Sequence, residues 1–256
     1  MKKEPKKSNK FTNPKTNKIL ITEIFNEDLA KLLALKIEKK YSKFESKKFI
    51  NKVKKEIKGK RYTERVEVMA DSLYKYLPNK FQKATNVLMK ILGPENPNET
   101  GMFTHYYWIL PIAKFIEKYG LDDFKTSVEA IEEITKRNTG EYAIRSFAVK
   151  YPVKILSICR RWAKSPNFHL RRLASEGLRP KLPWAPKLYL WKENPKPVFE
   201  ILEILKEDEI KFVKKSVANH LRDWLKVNPK EAKKVIQAWS KSKNENTKWI
   251  VNYTLR

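Results

Sequence analysis

The residues best equipped for chemistry are crowded into HLRRLASEGLRPKLPWAP, residues 169–186. One acid, Glu176, stands between basic clusters that hold no other carboxylate, with Arg171 and Arg172 before it and Arg179 after it. Gly177 follows, and a single aromatic, Trp184, is framed by Pro183 and Pro186. An ionised carboxylate and the electron-rich face of an indole both suit a positively charged partner, whereas guanidinium forks suit phosphate. A structural account competes with this. A buried carboxylate needs a partner, and Arg172 or Arg179 would supply a rigid bidentate one, so on residue types alone an ion pair is the simpler explanation of Glu176.

Other reactive side chains are sparse. The three histidines, His105, His169 and His220, are too widely spread for a zinc site, so no metal is expected. His105 belongs to a Tyr/Trp-rich helix and reads as a packed or surface residue. His169 and His220 lie on basic helices, where contact with phosphate or backbone is the expectation. The one cysteine, Cys159, falls within the apolar periodicity of ILSICRRW, which makes it a small buried hydrophobe and leaves neither an internal disulfide nor a CxxC metal cluster. No cofactor is implied.

These residues need a scaffold, and composition says what kind. With 41% hydrophobic and 12% aromatic residues the chain has enough core formers to fold, and 6 glycines are too few for a fold rich in hairpins, so an all-α architecture is expected. Against 29 Asp and Glu stand 56 Lys and Arg, a formal charge of +27. The partner should be a polyanion, because each neutralised phosphate releases condensed counterions. Nucleic acid fits best and an anionic membrane surface second. No apolar run reaches the roughly 20 residues that span a bilayer, and the N-terminus lacks the apolar core of a secretory signal, so a soluble cytoplasmic monomer is expected.

Residues 1–18, MKKEPKKSNKFTNPKTNK, are Lys-rich with almost nothing apolar and read as a disordered basic tail. Residues 19–256 are expected to form one domain. Short helices fill 19–91, and the basic run KFESKKFINKVKKEIKGKR reads as a solvated helix face. After the loop GPENPNETG, FTHYYWILPIAKFIEKYG reads as a helix that stops at Gly120. Two-helix units then recur. Leu170 and Val213 hold equivalent places 43 residues apart, near the roughly 40–47 residue period of HEAT repeats, which predicts a right-handed solenoid of HEAT-like helical repeats. The second helices begin with Arg145, with Arg171 and Arg172, and with Lys214 and Lys215, so stacking is expected to line one concave surface with charge. Trp108, Trp162, Trp224, Trp239 and Trp249 fall at apolar helical positions and are assigned to the core.

Five stretches carry a resemblance to a known family: YGLDDF, EITKRNTGEYAIRSF, HLRRLASEGLRPKLPWAP, VKKSVANHLRDW and TKWIVNYTLR, in that order along the chain. The sequence is similar to the AlkC-type DNA alkylation repair glycosylases, HEAT-like repeat proteins related to the AlkD type. Some members carry a C-terminal immunoglobulin-like domain, and the form expected here lacks it. The resemblance implies hydrolysis of the N-glycosidic bond of cationic lesions in double-stranded DNA, 3-methyladenine and 3-methylcytosine among them, as a step of base excision repair and without base flipping. A base methylated on a ring nitrogen is already a cationic leaving group, so stabilising the oxocarbenium-like sugar can carry the catalysis.

Carried over by motif position, Glu141 and Glu176 would flank the deoxyribose and orient water, Trp184 would face the sugar, and Asp223 is a further candidate acid. Arg145, His169, Arg171, Arg172, Arg179, Lys214, Lys215 and Arg222 would hold DNA. Two departures stand out: Ser146 replaces the proline usual after the arginine of EYAIRSF, and lysines replace common arginines in VKKSVANHL, losing the bidentate fork. The alternative is a noncatalytic HEAT-like DNA-binding protein, with a solenoid adaptor for acidic proteins behind it.

Overall fold

The computed structural model describes residues 21–101 and 103–256; the expected basic tail, 1–18, lies outside them. Every regular element among the described residues is helical, and none of these helices is long and apolar enough to cross a membrane. The chain divides at Ile91 into two compact units.

The first unit holds α1 (Ile21–Ile24), α2 (Glu27–Glu38), α3 (Ser46–Glu56), α4 (Tyr62–Tyr76) and α5 (Phe81–Met89). Asn26 starts α2, its side chain accepting from the backbone N–H groups of Asp28 and Leu29 at 2.9 and 3.1 Å. Leu29, Leu33 and Ile37 then form a buried stripe at helical spacing; α3, with Phe49 and Val53 buried, packs on α2 and in turn on α4, where Met69 and Leu73 are buried. The lysines of α3 that alternate with Phe49 and Val53 are largely exposed.

The second unit opens with a 3-10 turn (Tyr107–Ile109) leading into α6 (Leu110–Tyr119). Pairs of helices follow: α7 (Phe124–Thr135) with α8 (Ala143–Lys150), α9 (Pro152–Ala163) with α10 (Phe168–Glu176), α11 (Lys196–Leu205) with α12 (Lys211–Val227), and α13 (Pro229–Ser240) with α14 (Glu245–Leu255). Along one layer α10 packs on α12 and α12 on α14; along the other α9 packs on α11. This is a stack of HEAT-like repeats. The first-helix layer is tied by one contact used twice. The Trp162 indole N–H on α9 donates to Glu132 on α7 at 2.8 Å, and the Trp239 indole N–H on α13 donates to Glu203 on α11 at 2.7 Å. Side-chain caps recur at the repeat turns: Asp123, Asn167, Asn228 and Asn244 each accept from the first turn of the following helix.

The segment before α6 differs from expectation. No helix runs from Phe103, because Pro111 lacks an N–H and is tolerated only in the first turn, so α6 starts at Leu110 and ends at Gly120 as anticipated. The GPENPNETG loop is pinned to the stack. Asn96 N–H donates to Lys136 O at 2.9 Å, Asn167 donates to Glu95 at 3.0 Å, and the N–H of Phe212, at the start of α12, donates to Glu99 at 2.8 Å.

Gly177, at the end of α10, is required by a close approach. A Cβ there would lie 2.6 Å from Ile144 Cγ2 on α8 and 3.1 Å from Leu173 O. Gly177→Ala should therefore destabilise the protein by about 1–3 kcal/mol, the usual effect of overpacking, measured by urea denaturation. An unchanged midpoint would show that α8 and α10 can separate freely.

Candidate functional site

Gly140 places the first acid. Its missing Cβ would lie 2.6 Å from Ile131 Cγ2 and 2.8 Å from Thr135 Oγ1, so only glycine lets the turn before α8 lie against α7. In that turn the Thr139 hydroxyl donates to Glu141 Oε2 at 2.8 Å, and Glu141 N–H donates back to Thr139 Oγ1 at 3.1 Å. Arg172 and Glu176 share one face of α10 through their i,i+4 spacing. The Arg172 guanidinium donates to Glu141 at 2.8 Å, lies 3.6 Å from Glu176 and sits over the Phe212 ring at 4.4 Å. Arg179, just past α10, donates to Glu176 at 2.7 Å and to Asp223 of α12 at 2.9 Å.

The result is an alternating chain, Glu141–Arg172–Glu176–Arg179–Asp223, running from the start of α8 through α10 to α12. It is almost wholly buried: Glu141 is 3%, Glu176 6% and Asp223 7% exposed. On α12, Ser216, His220 and Asp223 form one polar face toward α10. The Ser216 hydroxyl donates to Glu176 Oε2 at 2.6 Å and lies 3.0 Å from the Ser175 hydroxyl, which in turn is 3.4 Å from His220 Nδ1.

Charge states follow from these neighbours. Burial alone would raise the Glu176 carboxyl; the Arg172 and Arg179 guanidiniums, with the Ser216 and Arg179 hydrogen bonds, outweigh it and hold the group below the ordinary carboxylate range. Burial, followed by the nearby Arg179 and Arg145 charges, pushes His220 well down, so its imidazole is neutral. Burial likewise lowers His169. Both oxygens of Glu176 are engaged. Glu141 Oε1 and Asp223 Oδ1, by contrast, accept no hydrogen bond from the described residues.

Trp184 projects from the irregular segment after α10. It is 63% exposed, adopts φ 58°, and meets the Phe103 ring edge-on with centroids 5.8 Å apart. Tyr142, next to Glu141, reaches the Pro183 carbonyl at 3.5 Å, which sets this loop against the first turn of α8. Tyr142, Phe103 and Ser216 were not singled out by residue type. The Ser216/His220/Asp223 spacing of four and three is the pattern that could have revealed the polar face of α12.

The eight residues expected to hold DNA do not form one exposed row. Arg145 donates to three backbone carbonyls, and His169 Nε2 lies 2.9 Å from Asn96 O. Arg171 grips Asp208 at 2.6 Å and the Ser165 and Pro166 carbonyls at 3.0 Å. Arg172 and Arg179 belong to the charge chain. Lys214 donates to Asn246 at 2.8 Å and lies over Trp249, while Arg222 donates to the Tyr253 and Thr254 carbonyls at the end of α14. Lys215 is the one of the eight that is exposed. The start of a second helix is also where neighbouring repeats meet, so most of these cations are drawn into inter-repeat contacts. Among the described residues no cluster of three or more His, Cys, Asp or Glu could hold a metal ion.

Stacked helical repeats with a buried carboxylate–guanidinium chain crossing three of them define a class, the HEAT-like repeat proteins with an internal acidic site. The family is narrower. Residues 112–256, more than half the chain, match the family described as DNA alkylation repair enzyme, and the chain belongs to that family. YhaZ, an uncharacterized protein of Bacillus subtilis, is 32% identical over 237 residues, which cover 92% of this chain and 64% of that protein. The alkylpurine DNA glycosylase AlkC of Pseudomonas fluorescens, solved bound to DNA containing an abasic site analog, is 30% identical with a TM-score of 0.82, over 92% of this chain and 64% of that one. The chain thus spans just under two thirds of each. AlkD2 of Streptococcus mutans, 23% identical with a TM-score of 0.58 over 82% of this chain and 97% of that one, shares the fold.

The lowered Glu176 carboxyl has a measurable consequence. Its folded value lies below the unfolded one of roughly 4.3, so the stability it contributes is fully present above that pH and is lost as pH falls through the folded value. In urea titrations, Glu176→Gln should be less stable than the parent at about pH 6 by roughly 3–5 kcal/mol, because two guanidiniums lose their shared charge. The gap should narrow as pH falls below the unfolded value and on through the folded one. A pH-independent gap would place Glu176 outside the charge chain.

Proposed function

We infer that this chain is an alkylpurine DNA glycosylase acting on cationic N-alkylated bases, 3-methyladenine and 3-methylcytosine, in duplex DNA. The observation that carries this reading is the pairing of two carboxylates, each with an oxygen left unbonded, with a third whose charge is fixed. Glu141 Oε1 and Asp223 Oδ1 are the acceptor positions available to a sugar or a water; Glu176, held ionised by two arginines and Ser216, supplies a standing negative charge between them. Family membership and the likeness to AlkC support the same reading.

The chemistry needs little more. A methylated ring nitrogen makes the base cationic, so the C1′–N bond can break without a general acid, and positive charge then gathers on the deoxyribose. Preorganised carboxylates in a poorly hydrated site stabilise that charge far better than water would, and Glu141 or Asp223 can take a proton from the incoming water. The exposed Trp184 face lies ready for the sugar from outside the helix stack. In this reading the lesion stays stacked in the duplex and the carboxylates act on its sugar. The net charge of +27 and exposed lysines such as Lys215 attract the phosphates.

The second reading, a noncatalytic DNA-binding repeat protein, draws on the same chain: every one of its five members is ion-paired, as a purely structural network would be. Incubation with methylated duplex DNA separates the two. The glycosylase should release free 3-methyladenine, and Glu141→Gln and Asp223→Asn should each slow release by roughly 10²-fold while DNA affinity holds or rises. Binding without release by the parent protein would establish the noncatalytic reading.

A further inference from the structure

The loop from Gly177 to Leu188 carries both Arg179, the bridge between Glu176 and Asp223, and Trp184. Its own hydrogen bonds are few: Leu188 N–H donates to Pro180 O at 3.0 Å and Ala185 N–H to Leu182 O at 3.4 Å. Trp184 nevertheless holds a left-handed backbone conformation that a bulky residue adopts only when its surroundings impose it. The strongest external constraint is Arg145, one turn into α8. Its guanidinium donates to Gly177 O at 3.2 Å, Arg179 O at 2.7 Å and Pro186 O at 2.5 Å, thereby joining both ends of the segment that contains Trp184.

Arg145 is a poor phosphate ligand as placed. It is 5% exposed, and no carboxylate among the described residues bonds it. Burial, together with the Arg179 charge beside it, brings its pKa down to about 10. A buried cation next to another cation is an unfavourable arrangement; three convergent carbonyls, with the nearby Asp223, Glu141 and Glu176 charges, compensate it.

We propose that Arg145 is a positioning residue: its guanidinium clamps the Gly177–Pro186 loop and so fixes the place of the Trp184 indole and of the Arg179 bridge. Its effect on catalysis rests on the glycosylase reading; its effect on the loop does not.

The test uses the full chain labelled with 5-fluorotryptophan, whose seven tryptophans give separate fluorine resonances, with Trp184→Phe assigning the signal of interest. In Arg145→Ala the Trp184 resonance should shift or broaden while those of the buried Trp162, Trp224 and Trp239 hold. Arg145→Lys, which keeps the charge and part of the carbonyl bonding, should lie between, and it carries the test if the alanine variant does not fold. With methylated duplex DNA under single-turnover conditions, excision should slow by about 10²-fold, the size of a ~1 Å misplacement, with DNA affinity and its salt dependence unchanged. A folded Arg145 variant with an unmoved Trp184 resonance overturns the clamp. If affinity also drops and the salt slope falls by about one, Arg145 is a phosphate contact instead. If the parent protein excises nothing, the glycosylase reading fails, and the resonances still decide the clamp.

Discussion

Three carboxylates and two guanidiniums removed from water must neutralise one another, and in this protein they come from three successive repeats. Glu141 stands before α8, Arg172 and Glu176 lie on α10 with Arg179 just past it, and Asp223 is on α12; Glu176 is paired within its own unit, while Glu141 and Asp223 each find their arginine in the unit of α10. Apolar stripes would let adjacent repeats slide with modest loss. A one-turn slip here would strand buried charge, at a cost of several kcal/mol per group. The register of α8, α10 and α12 is therefore set electrostatically, and packing fills in around it, as the tight approaches of Gly140 to α7 and Gly177 to α8 show.

The same constraint gives the site its character. Glu176 needs no substrate to become ionised, since its neighbours hold it charged, and neutral His220 beneath it adds no competing cation. Such a field exists before any ligand arrives. A reaction whose charge develops on the ligand, and whose leaving group brings its own positive charge, is the kind that a preset field serves well, because nothing in the protein must reorganise at the moment of bond breaking.

Much of this was legible in residue order. The 43-residue offset between Leu170 and Val213 and the placement of Glu176 between Arg172 and Arg179 rest on local spacing, and local spacing survives folding. The Pro- and Asn-rich segment reads as a loop within the single domain expected over 19–256, and the chain's two compact units divide beside it, at Ile91. What could not be read was which partner each cation takes. Arg145, Arg171 and Arg222 are basic residues on second helices, which suggests a charged surface, yet each bonds groups more than 30 residues away in sequence, such as Pro186, Asp208 and Tyr253. Those partners exist only once the repeats stack. The φ of Trp184 is equally hidden, because its loop is held by partners distant in sequence, such as Arg145 and Tyr142.

Cys159 acquires a meaning in this setting. The residue is fully buried on α9, and burial raises its thiol above the ordinary range, so the thiolate that would act as a nucleophile is scarcely formed. Electrophiles that methylate the ring nitrogens of DNA also methylate exposed thiolates. A protein of the alkylation repair family that keeps its sole thiol protonated and out of reach spares that thiol from methylation in the conditions that create its work.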